Sequence, residues 1–384
     1  MGRDVGRVAR QLGMTALATR RRTLVGAAAL AAALAPARSC RLLAAEQSLR
    51  AAAAAAGLRY GADCDVPIVN TPAAYQTLFA EQCALLAPNF NWVMASPGPG
   101  DLDLSRLAPT LVWTSQNGLA LTGMHLLWYL VQPRWFTAAA DRRWARQQML
   151  GHVSQLAART AGRIYAWNVV NEEIDDYGGG ARPAGFIARF GVAATAEAFQ
   201  AVRRADPAAL RVLNENGLEG VGPVPESKRA ALLGVLDELQ RAGAPIQAVG
   251  LESHLRLGMA FDDTVFARFL DEIAARGLRI VISELDVLDV AAPGAIAPRD
   301  QAVADLYARY LAVALAQRAT VAVVTWGLSD RYTWLVPASN RGFARPDRLP
   351  GRPLPFDAEF RPKPAFFALL RAFEQAPRRG PWRG

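Results

Sequence analysis

Eight short apolar runs recur along the chain, separated by amphipathic or polar stretches: Arg59–Cys64, Phe90–Val93, Leu119–Leu127, Ile164–Val170, Ala209–Asn214, Ala248–His254, Arg279–Val287 and Val321–Leu328. Several are apolar throughout instead of alternating, the pattern of parallel strands covered on both faces. The segments between them, such as Asp141–Thr160, Ala193–Ala205, Ser227–Ala242, Asp263–Arg276 and Arg299–Ala316, carry the spacing of amphipathic helices. Eight such units in succession predict an α/β fold, a single-domain (β/α)8 TIM barrel. A doubly wound open sheet fits less well, because no Gly-rich phosphate loop follows the first run. With 384 residues, 52% of them hydrophobic, the chain can bury the core that one large barrel needs.

The formal charge of +9 invites a nucleic-acid reading. More than half of it sits in residues 1–37, where Arg3, Arg7, Arg10, Arg20, Arg21 and Arg22 face only Asp4. The body has no long basic run and no aromatics interleaved with Arg, so nucleic acid is not an expected partner. Residues 1–37 instead read as an export signal. Thr19-Arg20-Arg21 is similar to a twin-arginine motif, and an apolar stretch from Leu24 follows, ending in small residues at Ala35 and Ala37. That stretch is shorter than the roughly 20 residues a membrane span requires. The alternative is a short basic, Ala-rich helix. The expected product is exported to the periplasm or beyond, without a membrane span, and monomeric; a lipid anchor at Cys40 is a weaker alternative. Residues 38–57 read as an Ala-rich lead-in, 58–375 as the barrel, and 376–384 as a disordered basic tail. Cys64 and Cys83 are either paired or buried as free thiols. No cysteine or histidine spacing suggests a metal, and no cofactor is implied.

The strand ends carry the chemistry. The fourth run ends in Asn171-Glu172, the fifth in Asn214-Glu215-Asn216, the sixth in Glu252-Ser253-His254 and the seventh in Glu284-Leu285-Asp286, while the eighth reaches Trp326. In a barrel these ends converge on the face where active sites are built. The fourth and seventh strands lie across the barrel from each other, so Glu172 and Glu284 can face across a cleft. Two carboxyls about 5–5.5 Å apart can divide acid/base and nucleophilic work on a glycosidic bond. One must stay protonated and the other ionised, with donors to orient it. Asn171 and His254 suit that task, and Asp286 can orient His254. Trp326 and Trp334 offer flat apolar faces to sugar rings. Taken singly, a carboxylate at a strand end is more often a cap or a solvated turn residue. Glu173, Asp175 and Asp176 are read that way, Trp144 as core, and Gly178-Gly179-Gly180 as a flexible loop beside the cleft.

In this order and spacing, "WNVVNE" (Trp167–Glu172), "GLESHL" (Gly250–Leu255), "ISELDV" (Ile282–Val287) and "WGLSDRYTWL" (Trp326–Leu335) resemble glycoside hydrolase family 10. The likeness runs from about Tyr60 to Phe373. It implies a retaining endo-β-1,4-xylanase-like enzyme acting on polysaccharide. By that resemblance Glu172 is the general acid/base, Asn171 contacts the sugar 2-hydroxyl, Glu284 is the nucleophile, His254 its partner and Asp286 the support of that histidine. Trp92, Trp128 and Asn214 join the expected substrate-binding or supporting set.

The departures concern the non-reducing side of the cleavage point. Where the family has a Glu-Asn…Lys-Trp pattern, this chain has "LAPNFNW", with Ala87, Pro88 and Asn91 in place of Glu, Asn and Lys and only Trp92 kept. In the Gly-His-Thr-Leu-Val-Trp-His motif, Met124 and Tyr129 replace the two histidines. His125, one position along, is expected on the opposite strand face. The family's Gln is Glu252, a third carboxyl beside the nucleophile, which should raise at least one carboxyl pKa. Two readings follow: a glycanase whose polymer is not plain xylan, such as a bacterial exopolysaccharide or a decorated β-1,4-glycan, or a catalytically weak barrel kept for polysaccharide binding or assembly. A cellulase- or mannanase-like barrel shares the two carboxyls, but the "WGLSDRYTWL" motif argues against it.

Overall fold

The computed structural model describes residues 48–177, 179–292, 294–335, 343 and 345–380. The expected export signal, Cys40, Gly178 and residues 381–384 lie outside them. The chain divides at Ser48, and the unit from Leu49 onward opens with a helix inside the segment read as a lead-in. In chain order the elements are α1 (Leu49–Ala55), β1 (Arg59–Cys64), α2 (Ala73–Gln82), β2 (Leu85–Pro88), α3 (Trp92–Ala95), α4 (Ala108–Gln116) and β3 (Ala120–Trp128). Then come α5 (Arg134–Thr137), α6 (Arg142–Arg159), β4 (Ile164–Asn171), α7 (Phe186–Phe190), α8 (Val192–Ala205), β5 (Leu210–Glu215), α9 (Pro223–Arg241) and β6 (Ala248–Leu251). The last are β7 (His254–Arg256), α10 (Asp263–Ala275), β8 (Arg279–Leu288), α11 (Ile296–Ala316), β9 (Thr320–Thr325) and α12 (Pro364–Gln375).

β1 to β6 pair in sequence, β6 pairs with β8, β8 with β9, and β9 returns to β1; every pairing is parallel. The result is a closed eight-stranded barrel, with β7 attached to the upper end of β8. Closure and burial explain the unbroken apolar runs. Every residue of β4, β5 and β9 is buried, one face against the barrel axis and the other against the helices. Leu85, Ala87, Leu210, Val212, Ala248, Val281 and Val324 belong to a core made only of strand residues, separate from the larger core that the helices share. Helix starts follow local chemistry: Asp141 accepts from the Arg143 and Trp144 amides to cap α6, and Asp262 caps α10 through Thr264 and Val265.

Three strands differ from their expected spans by more than one residue at an end. The second is Leu85–Pro88, while Trp92–Ala95 is a helical turn that the Asn91 side chain caps through the Met94 amide at 3.3 Å. The apolar Trp-Val pair resembles a strand, but an N-cap residue directly before it favours helix. The sixth is broken: β6 stops at Leu251, Ser253 takes a left-handed φ of 62°, and pairing resumes at His254. The eighth stops at Thr325, just short of Trp326. Cys64 and Cys83 are free and buried. No helix among the described residues is long and apolar enough to cross a membrane.

The described part of the tail is fastened down, against the expectation of disorder. The Arg379 guanidinium donates to the carbonyls of Leu315 (2.7 Å), Gln317 (3.1 Å) and Thr320 (2.7 Å), at the C-terminal end of α11 and the start of β9. Its amide reaches the Ala56 carbonyl at 3.1 Å, beside α1. A cation satisfying carbonyls at a helix C-terminus is favourable on both counts. Arg379→Ala should therefore lower the unfolding free energy by about 1–3 kcal/mol, read as a lower urea midpoint with catalytic parameters unchanged.

Candidate active site

The polar strand ends do converge. Asn214, fully buried at the end of β5, donates through Nδ2 to Asn171 Oδ1 (2.8 Å) on β4, to Glu284 Oε1 (3.0 Å) on β8, and to Glu252 Oε1 (3.2 Å) just beyond β6. Its Oδ1 accepts from Ser283 Oγ at 2.6 Å. Gly250 makes room for this amide, since a Cβ there would lie 2.0 Å from Asn214 Oδ1.

Glu284 is buried and has further donors. His254 Nε2 lies 3.4 Å from Oε2, and His125 Nε2 lies 3.4 Å from Oε1. His254 is itself held by Asp286, Nδ1 to Oδ1 at 3.0 Å, and Asp286 Oδ2 accepts from Trp334 Nε1 at 2.7 Å. The Trp334 and Trp326 rings pack 5.0 and 6.3 Å from the His254 ring. The break in the sixth strand serves this arrangement. Left-handed Ser253 is held by its amide to Glu219 Oε1 (3.0 Å) and by its hydroxyl to Tyr310 OH (2.6 Å), and His254 then stands in register with Asp286 on β8.

His125 overturns an expectation. Gly123 has φ of 67°, and the β3–β4 register shifts on both sides of Thr122. This bulge absorbs the one-residue slip that should have aimed His125 away. Met124 instead goes into the core shared with the helices, 1% exposed. Trp128 packs 5.1 Å from the His125 ring, and its Nε1 finds no hydrogen-bond partner among the described residues. Trp92 is corrected the other way: it is 1% exposed and stacks on His152 at 4.5 Å within an aromatic core with Trp135, Phe136 and Phe186, so its ring is not open to a sugar. Ala87 lies in the barrel-axis core and Asn91 Oδ1 caps α3, so neither brings a charged side chain to these positions.

Glu172 follows β4 with a left-handed φ of 56° and is 8% exposed. Strained positive-φ residues at both Glu172 and Ser253 are the kind of cost that active sites carry. Of the next carboxyls, Glu173 is out of solvent, whereas Asp176 is exposed as expected. Glu173 is fully buried and accepts the Phe186 and Ile187 amides, both at 2.9 Å, to start α7. Asp176 takes a bidentate grip from buried Arg182 and a bond from Lys228 Nζ at 3.1 Å. Two buried groups near the site carry no motif that would mark them in the sequence: Arg182, and Asp63, the register partner of Ala87.

The electrostatics sort the carboxyls. Burial alone would raise Glu284, but the bonds from His125 and His254 outweigh it and hold the carboxyl below the usual glutamate range. Burial alone would depress His254, but Asp286 and then Glu284 outweigh it and hold the ring protonated well above the ordinary histidine value. Burial, then the charges of Glu284 and Glu172, push Glu252 well up. Crowding thus falls on Glu252, which stays neutral beside an ionised Glu284. Ligand atoms of Glu252, His254 and Glu284 lie within 4.8 Å of one another, as a metal would need. A protonated imidazole has no lone pair to give, however, so a cation would have to displace that proton.

A pH test follows. A raised folded-state pKa means that the folded protein holds more protons, so stability falls as pH climbs from the ordinary glutamate value, about 4.3, towards the folded one. Glu252→Gln removes that loss. Its melting temperature relative to the unaltered protein should rise between pH 4 and pH 8; a constant difference would mean that Glu252 is not held neutral.

Comparison with known proteins agrees with this geometry. The sequence profile of Glycosyl hydrolase family 10 matches residues 48–372. Endo-1,4-beta-xylanase A of Phanerodontia chrysosporium is 30% identical over 292 residues, covering 75% of this chain and 66% of that one, so the match spans just under two thirds of the relative's length. Endo-1,4-beta-xylanase B of Thermotoga neapolitana is 27% identical over 265 residues, 68% of this chain and 71% of that one. Xylanase 10B from Thermotoga maritima shares the fold, with a TM-score of 0.76 at 24% identity over 85% of this chain and 98% of that one. With the profile running from α1 to α12 and the strand-end residues gathered into one site, this chain belongs to glycosyl hydrolase family 10.

Proposed function

We propose that the protein is a retaining endo-β-glycanase that hydrolyses a β-1,4-linked polysaccharide by double displacement. Glu284 attacks the anomeric carbon while Glu172 gives its proton to the leaving glycosidic oxygen, which departs with the bonding electron pair. Glu172 then takes a proton from water, and that water attacks the same carbon and releases Glu284. The observation that carries the reading is the set of donors around Glu284: Asn214, His125 and a His254 kept protonated by Asp286 hold the attacking carboxylate ionised and aimed. The relatives named endo-1,4-beta-xylanases support a β-1,4-glycan as the substrate class.

The polymer is proposed to differ from plain xylan. Ala87 and Asn91 lack the charged groups expected at these positions, and sites that lose such hydrogen-bonding groups lose the discrimination they provide. A bacterial exopolysaccharide or a decorated β-glycan fits better. Export of the protein by residues 1–37 belongs to the same proposal.

Product analysis on a panel of β-glycans that includes an exopolysaccharide tests it. Glu172→Ala should cost about 10²–10⁴-fold in turnover, the range for a lost general acid/base, and Glu284→Ala at least as much. A 2-fluoro glycoside should label Glu284. Efficient cleavage of plain xylan, with kinetics unmoved by Asn91→Lys, would remove the altered-substrate part. No cleavage and no labelling would favour the polysaccharide-binding reading.

A further inference from the structure

We infer that Arg182 is a positioning residue for Glu172: it clamps the backbone on which the acid/base group is carried, so that the carboxyl meets the leaving oxygen. The inference rests on the assignment of Glu172 proposed above.

Residues 172–177 and 179–182 are drawn together on the end of β4. They are held by the Ile174–Ala181 antiparallel bridge, by the Asp175 amide to the Gly180 carbonyl at 2.9 Å, and by the Arg182 amide to the Glu173 carbonyl at 2.6 Å. The Arg182 side chain turns back towards Glu172 and is 6% exposed. Nε donates to the Glu172 carbonyl at 2.7 Å, and Nη2 donates to the Ile174 carbonyl at 2.8 Å. The same fork holds Asp176 through both carboxylate oxygens, at 2.9 and 2.6 Å. Its flat face lies 4.2 Å from the Tyr129 ring, at the end of β3. A planar fork with fixed donor directions fixes two carbonyls and a carboxylate at once, which a lysine ammonium cannot do.

The clamp is anchored in turn. Lys228 Nζ bonds Asp176 at 3.1 Å and pairs with Glu215 Oε1 at 3.1 Å, and Glu215 Oε2 accepts the Ile174 amide at 2.9 Å. The peptide after Glu172 is thus held through its carbonyl on one side and through the buried Glu173 cap of α7 on the other. The left-handed φ of Glu172 makes this necessary. A non-glycine residue in that region is strained and persists only where its surroundings over-determine it. Released from the clamp, Glu172 would relax and carry its carboxyl off line, and small misplacements of a catalytic group are costly.

An acid that is out of place matters only where the leaving group needs a proton. Initial rates on the phenyl and dinitrophenyl β-glycosides of xylobiose and of cellobiose, compared on whichever glycone is turned over, separate positioning from general damage, because phenolate is a poor leaving group and dinitrophenolate departs without a proton. Arg182→Lys keeps the charge and loses the fork. It should lower kcat/KM on the phenyl glycoside by about 10–100-fold, part of what a general acid contributes, and leave the dinitrophenyl glycoside within about threefold. Asp176→Asn, which loosens the guanidinium without removing it, should show the same pattern more weakly, and it decides the matter if Arg182→Lys does not fold. Glu172→Ala is the control. A loss on both glycosides alike in the Arg182 and Asp176 variants, beside a leaving-group-dependent loss in Glu172→Ala, would overturn the clamp and leave the acid/base assignment intact. A uniform loss in Glu172→Ala would overturn that assignment instead. No turnover of either dinitrophenyl glycoside by the unaltered protein would sink both readings.

Discussion

The Asn214 amide joins four strands at the mouth of the barrel. One nitrogen serves acceptors on β4, on β8 and beyond β6, and its oxygen is tied to Ser283. An amide has two hydrogens to give, so three acceptors around it cannot all be charged carboxylates or carbonyls making full demands. This shortage is consistent with the protonation pattern of the site. Glu284 has His125 and His254 as well and remains an anion, whereas Glu252, left with a share of one amide, keeps its own proton. The close packing that brings Gly250 under Asn214 therefore bears on charge as well as shape.

The cations follow the same logic. His254 is charged because Asp286 lies behind it, and Asp286 is oriented because the Trp334 indole N–H points at it. A ring that would stack against a sugar is thus also a hydrogen-bond donor to the group behind the proposed nucleophile. The proposed sugar contact and the ionisation of Glu284 share one chain of contacts, so a change at Trp334 reaches Glu284 through Asp286 and His254.

Most of the barrel and of its polar mouth was legible in the sequence, because burial on both faces leaves an unbroken apolar run and strand ends must converge. What escaped depends on single backbone angles. The Gly123 bulge moves His125 into the cleft, and alternation alone pointed it out. Asn91 reads as part of the Phe90–Val93 strand unless its capping role is seen, and that misreading displaced the second strand. Trp92 is a motif residue, yet its neighbours in space, His152 and Phe136, come from α5 and α6, which no local pattern reveals. Arg182 is one arginine among many in an Arg-rich chain; only the fold beyond β4 brings it back to Glu172.

The ring is completed by elements from the two ends of the described chain. β1 pairs with β9, and Arg379 ties the far terminus to Ala56 and to the carbonyls beneath β9. Until β9 has left the ribosome, β1 has no second neighbour and the nascent sheet keeps a bare edge, the kind of surface that invites pairing with another chain. The barrel can be assembled on one side as it is made, but its seam is sewn last. A chain cut short before β9 would lose that seam, and with it the protection of the first strand.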